Sequence, residues 1–267
     1  VKKARTALVN PVQPRRRIIY KSQREIELMR EAGKIVNEVL RSISELVKEG
    51  VTTAELDDRA VKVAQNYGAE LAFFGYRGFP AHICTSINEE VVHGIPGPRA
   101  LKNGDIVSID VGIRLEEYHA DAAETFPVGT ISPETQRLLD VCRESLNIAI
   151  RAALPGSHLS AVSKSIQNFA ESNGFSVVKD FVGHGIGRSL HEEPQVPNFF
   201  TPGKFTVDVM LKPGITIAIE PMVNAGSSDV EILSNSWTVV TKDRKPSAHF
   251  EHTVAVTEKG PVILTLP

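Results

Sequence analysis

Along the first part of the chain apolar residues recur at helical spacing and then give way to short β-branched runs. Ile26, Met29, Ala32, Ile35, Val36, Val39 and Leu40 keep one face of a 3.6-residue period, and Ser22 followed by Glu25 is a capping-box start. The pattern predicts a first helix running to about Lys48, stopped by Gly50. Thr52 and Glu55 repeat the start signal, and Leu56, Ala60, Val63 and Ala64 carry a second helix to near Gly68. Residues 83–92 and 106–113 then read as strands, rich in Ile and Val.

The same order returns after Thr130. Ser132-Pro133 opens a helix, Gly156 ends it, and a further helix closes at Gly174, with the spacing from Gly156 to Gly174 equal to that from Gly50 to Gly68. Leu101-Lys102-Asn103-Gly104 leading to Ile109-Asp110 has its counterpart in Leu211-Lys212-Pro213-Gly214 leading to Ile219-Glu220. His119-Ala120-Asp121 is matched by His249-Phe250-Glu251. An internal repeat of this kind predicts an α+β fold of two pseudo-symmetric helix-helix-strand-strand halves around a central antiparallel sheet. It also brings four carboxylates together at the middle.

Composition narrows the class. With 42% hydrophobic and 23% charged residues in 267, the chain is ordinary globular material, which excludes a largely disordered protein. It shows neither an apolar run of membrane-spanning length nor a signal peptide, and reads as soluble with no membrane partner. Cys84 and Cys142 are the only cysteines, which rules out a disulfide framework and favours a reducing compartment such as the cytoplasm. The chain begins at Val1, and this leaves an organellar address open. Net charge is −2, and positive charge concentrates in Lys2, Lys3, Arg5, Arg15, Arg16 and Arg17, which argues against nucleic acid as a specific partner. Residues 1–21 read as a flexible basic tail before a single catalytic domain over residues 22–267. Within that tail Pro11-Val12-Gln13-Pro14-Arg15-Arg16 has the PxxPxR form of an extended docking segment, with a plain solvated tail as the alternative.

Asp110 and Glu220 each follow an apolar run and are expected at the end of a buried strand. Four buried carboxylates together repel one another and protonate unless cations neutralise them. A metal pair is the natural solution, although most carboxylates in any chain are solvated surface charges. Gly183-His184-Gly185-Ile186-Gly187 adds an imidazole, its glycines letting the backbone turn tightly and present the ring to a cleft; a structural histidine in a Gly-rich turn is the alternative. With His184 the donor set is mostly oxygen with one nitrogen, which suits Mn, Fe, Co or Zn better than calcium. Two such ions activate water and polarise a carbonyl, which is hydrolase chemistry. His93 and His191 lie in turn-like segments, and spacing alone leaves them as ordinary turn histidines.

Taken together, these motifs resemble type I methionine aminopeptidases of the pita-bread fold. The resemblance runs through Gly75-Tyr76, Phe79-Pro80, Ser86-Ile87-Asn88-Glu89, His93-Gly94-Ile95-Pro96, Asp110-Val111, Gly183-His184-Gly185-Ile186-Gly187, His191-Glu192-Glu193-Pro194, Glu220-Pro221-Met222-Val223 and Phe250-Glu251-His252-Thr253. It implies two divalent metal ions, Asp110 on one, His184 and Glu220 on the other, and Asp121 and Glu251 bridging both. It implies further that His191 contacts the substrate carbonyl, that His93 acts near the scissile nitrogen, and that Glu220 doubles as a proton shuttle. Tyr76, Phe79, Cys84, Leu190 and Trp237 are then expected to line a pocket for a methionine side chain. The substrates implied are nascent polypeptides with N-terminal Met and a small second residue, met near the ribosome, which the basic tail is placed to contact; the expected state is a monomer. Ala122 stands beside Asp121 where many members of that family carry a polar residue, and Phe79 and Leu190 stand where others carry Tyr and Phe. Rival readings are a proline-directed peptidase of the same fold and a metal-free binding module.

Overall fold

A computed structural model describes residues 17–201 and 208–267. The PxxPxR segment and most of the basic stretch lie outside the described residues. Four helices form, α1 (Gln23–Ser44), α2 (Thr53–Asn66), α3 (Pro133–Ala152) and α4 (Leu159–Ser172). Both capping boxes close as the sequence requires: the Ser22 N–H donates to Glu25 at 2.8 Å and the Thr52 N–H to Glu55 at 2.8 Å. α1 ends four residues earlier than its apolar pattern suggests, because the chain turns at residues 45–46 while Leu46 and Val47 still pack on the core. Gly50 and Gly156 close corresponding turns with φ of 89° and 84°, a region that costs an L side chain about 1 kcal/mol or more.

Each half has its own apolar core. In the first, α1 and α2 place Val36, Val39, Ile43 and Leu56 against Val107, Ile109, Val111 and Ile113. In the second, α3 and α4 place Leu138, Leu146, Val162 and Ile166 against Ile217, Ile219, Val223 and Val254. Full burial of a side chain such as Leu56 stabilises by roughly 1.5–3 kcal/mol, so either helix pair is held mainly by this face.

All strand pairings are antiparallel among the described residues. Ile106–Leu115 pairs with Tyr118–Pro127 along its whole length and with Cys84–Ile87 on its other side. In the second half Thr216–Ile219 lies between His252–Thr257 and Gly183–Gly185. The single strand expected over residues 83–92 is two, Cys84–Ile87 and Glu90–Val92. Asn88 breaks it at φ 56°, its side chain bonding Asp105 and the N–H of Ile106. The halves are sewn together where Ala123 and Glu251 exchange backbone hydrogen bonds of 2.9 and 3.4 Å. Nearby, the Thr125 hydroxyl donates to the His249 carbonyl and accepts from its N–H.

The end of the stretch read as a flexible tail is already part of the packed structure. Ile18 packs against the second core, and Lys21 is buried with its N–H donating 2.7 Å to the Gly214 carbonyl.

Candidate functional site

The seam between the halves is also where the acids meet. Asp110 pairs with Ala123 and Asp121 with Gly112 in the register of the long strand pair, so both carboxylates share one face of the sheet. Asp110 lies in mid-strand rather than at a strand end, since Val111 and Ile113 prolong the buried alternation beyond it. Glu220 follows the end of Thr216–Ile219, and Glu251 falls between Ser247–His249 and His252–Thr257. The Thr253 hydroxyl holds Asp121 from the other half, accepting from its N–H and lying 2.9 Å from Oδ1. That bond offsets the lack of a polar side chain at Ala122.

His184 sits within the strand Gly183–Gly185, not in a tight turn. Its flanking glycines serve close approach: a Cβ on Gly183 would stand 2.4 Å from the Ala218 carbonyl oxygen and one on Gly185 2.2 Å from that of Glu193. The Nδ1 of His184 donates to the Gly185 carbonyl at 2.9 Å, which turns Nε2 towards Asp121 Oδ2 at 3.4 Å and Glu220 Oε1 at 3.6 Å. Ligand atoms of Asp121, His184 and Glu251 all lie within 4.8 Å of one another.

The electrostatics mark the cluster as a cation site. Burial drives the carboxyls of Asp110, Glu220 and Glu251 well above the ordinary carboxylate range, with Asp121 adding repulsion in each case. Asp121 alone is held low: burial opposes its ionisation, but the hydrogen bond and charge of His184 prevail. Burial likewise opposes charging of His184, yet Asp121 and Glu220 raise it to about 9. Without metal, then, a proton on His184 stands in for the missing positive charge. Asp110 Oδ1 is buried with no hydrogen-bond partner among the described residues, a costly state that a cation would relieve. The donor set of four carboxylates and one imidazole therefore fits divalent metal.

A cavity of about 380 Å³ opens over these acids. All twelve side chains expected at the site border it: Asp110, Asp121, His184, Glu220 and Glu251 with the accessory His93 and His191, and Tyr76, Phe79, Cys84, Leu190 and Trp237 as wall. Phe79 meets Trp237 edge to face at 5.1 Å, while Tyr76 stacks on His191 at 5.2 Å and His191 lies 4.0 Å from His184. His93 adopts φ 60°, a strained value for a side chain of its size. Its neighbour Gly94 fixes it there, bonding Thr85 and the Ser86 hydroxyl at 2.8 and 3.1 Å. Burial lowers His93 to about 4, and burial with the neighbouring His184 lowers His191 to about 3, so both rings are neutral near pH 7.

Phe73, Phe181, Met222 and His249 also line the cavity and were not anticipated. His249 was visible as the repeat partner of His119, but nothing in its spacing placed it at the cavity. Phe73 and Phe181 precede the legible motifs and look like ordinary core residues.

The model of metallopeptidase family M24 matches residues 27–258. Methionine aminopeptidase 1 of Bacillus subtilis (strain 168) is 51% identical over 248 residues, 93% of this chain and 99% of that protein. The crystal structure of methionine aminopeptidase from Thermotoga maritima superposes with a TM-score of 0.91 at 43% identity, covering 94% of this chain and all of that one. Prolidase from Pyrococcus furiosus shares the fold at a TM-score of 0.74 and 23% identity, with 93% of this chain aligned to 66% of that one. With its clustered acids, its histidine and this extent of likeness, the chain belongs to metallopeptidase family M24, and the bacterial methionine aminopeptidases are its kin within that family.

Proposed function

We propose that this chain is a methionine aminopeptidase, which hydrolyses the first peptide bond of nascent proteins and peptides when the second residue is small, using two divalent metal ions. The observation that carries the reading is the convergence of Asp110, Asp121, His184, Glu220 and Glu251 beneath an apolar-walled cavity. Asp110, Asp121, His184, Glu220 and Glu251 would hold the ions, with Mn, Fe, Co or Zn as the candidate metals. When bound, the metals supply Lewis acidity and activation of water.

The remaining steps belong to the chain's own side chains. Phe79, Trp237, Tyr76, Leu190 and Cys84 enclose an unbranched apolar side chain and exclude water from it. His191, neutral at working pH, donates to the substrate carbonyl, and His93, also neutral, donates to the scissile nitrogen as that atom loses its amide resonance and turns tetrahedral, neither adding positive charge beside the metals. Glu220 would move the proton from water to the leaving amine.

No helix among the described residues is long and apolar enough to cross a membrane. We infer a cytoplasmic monomer that meets its substrates as they leave the ribosome, with the basic N-terminal stretch as the contact; the two cysteines and the charge of that stretch support this reading.

The test is peptide hydrolysis by metal-stripped protein with Mn, Co, Fe(II) or Zn added back, comparing Met-Ala-Ser with a matched Xaa-Pro peptide. Metal-restored release of methionine from the first peptide alone is expected. Turnover of the Xaa-Pro peptide alone would move the chain to the prolidase side of the family, and silence with every metal would leave the fold without this activity.

A further inference from the structure

Lys21 and Glu192 form an ion pair at 2.6 Å with side chains only 2% and 6% exposed, far from ordinary for two charges that make no contact with the acid cluster. Buried pairs seldom add net stability, because desolvating both charges offsets their attraction; what such a pair fixes well is geometry. Here the geometry concerns the loop that carries Leu190 and His191. One Glu192 oxygen accepts from Lys21 Nζ at 2.6 Å and the other from the Ser189 N–H at 3.1 Å. The Lys21 ammonium also donates to the Ile19 carbonyl at 3.1 Å. Gly187 yields the space: a Cβ there would stand 2.4 Å from Lys21 Cε and 2.8 Å from Glu192 Oε1. Lys21 is itself anchored, through its N–H, to the Gly214 carbonyl in the turn that leads into Thr216–Ile219. The Thr216 hydroxyl in turn donates to the Ile186 carbonyl. One end of the loop is thus tied to the strand that precedes Glu220 and the other, through Lys21, to the turn that leads into it.

We propose that Lys21 is a positioning residue for the reaction: through Glu192 it clamps residues 187–192 and so sets the His191 ring and the Leu190 wall over the acid cluster. This inference rests on the aminopeptidase reading for its kinetic consequence but not for the clamp itself.

The test has two arms. Amide hydrogen exchange is measured on full-length wild type and Lys21→Met; faster exchange confined to residues 187–192 is expected, and unchanged exchange there overturns the clamp. Turnover of Met-Ala-Ser is then measured for wild type, K21M, H191A and the double variant, with bound metal counted in each. Misplacing His191 by about 1 Å predicts a loss in kcat on the order of 10- to 100-fold for K21M with metal content unchanged. In the H191A background the same change should cost less than about twofold, since residues acting as a unit are not additive. Equal losses in both backgrounds would show Lys21 acting independently of His191 and overturn the proposal. If K21M does not fold, K21M/E192L removes both charges together; a folded double variant with full activity, or one that also fails to fold, makes the pair merely structural. Wild type inert towards the peptide would defeat the aminopeptidase reading, with the exchange arm still deciding the clamp.

Discussion

Ser86 and His184 occupy equivalent places in the two halves of the chain. Ser86 lies opposite Ser108, two residues before Asp110; the register that sets Gly185 against Ile217 puts His184 opposite Ala218, two residues before Glu220. The serine hydroxyl stays within its own half, accepting from the Gly94 N–H and so steadying His93. The imidazole reaches across the seam to Asp121. The consequence is electrostatic: His184 holds Asp121 low by hydrogen bond and charge, while Asp110, which feels only the charge, keeps an unpartnered oxygen among the described residues and a raised pKa. A second contrast lies in the connections. The first half joins its paired strands by Glu116 and Glu117 at φ of 45° and 70°, a tight turn. At the corresponding place the second half inserts the hairpin Val230–Ile232 and Val239–Thr241, which pairs with Glu90–Val92 of the first half and carries Trp237 to the cavity. The repeated framework thus supplies the four acids, and single-copy features supply the imidazole among them and a wall of the cavity.

The contrast is broken most severely at the acids. Asp110→Ala or Glu220→Ala should lower turnover by on the order of a thousandfold or more, with metal binding weakened and the fold retained; activity and metal content of the purified variants check this, and an active E220A contradicts the site. The next largest effect separates the two neighbouring histidines, whose rings lie 4.0 Å apart. H191A is expected to reduce kcat by about 100-fold with both metals kept, as for loss of a hydrogen-bond donor at a reacting carbonyl, whereas H184A should lose metal. Metal loss in H191A instead would mean that ligand and accessory histidine have been interchanged. At the inserted hairpin, W237A should cost roughly tenfold in kcat/KM for methionyl peptides and narrow the margin over bulkier first residues, read from a series of peptides differing at that position.

How much of this was legible depended on what each residue's role leaves in the sequence. Capping boxes and helix faces are local and reappear as written, whereas Gly50 and Gly156 fall in the turns beyond α1 and α3, several residues past the helix ends. The acids were legible because the repeat copied them with their strands. Purely tertiary features were not: the glycines around His184 permit neighbouring backbones to approach rather than a turn, which no spacing reveals. Likewise the burial of Lys21 by Glu192, far away in sequence, left a residue of the core looking like the end of a tail. Phe73 fills the space left by Gly112 opposite Asp121, and that too requires the register to be known.

The smallest effect distinguishes the helix starts of the two halves. In α1 the Ser22 cap is completed by Glu25, which accepts from the Ser22 N–H and, at 2.7 Å, from the Tyr118 hydroxyl, whereas in α3 the Ser132 hydroxyl accepts from the Thr135 N–H and no carboxylate completes the cap. The Ser22 N–H, with Tyr118 assisting, lowers the Glu25 carboxyl from its ordinary 4.5 to about 2. A carboxylate depressed in the folded state contributes its stabilisation fully above the unfolded value and loses it as pH falls from about 4.5 towards 2. Glu25→Gln should therefore cost about 1 kcal/mol at pH 7 and progressively less in acid, read from urea unfolding at pH 7 and pH 3.

The central claim, that the two halves converge on one dinuclear metal site, is tested most directly by anomalous diffraction from a crystal soaked in manganese. Two peaks are predicted, one against Asp110 and one against His184 and Glu220, with Asp121 and Glu251 reaching both. A single peak without Asp110, or density only elsewhere on the molecule, would contradict it.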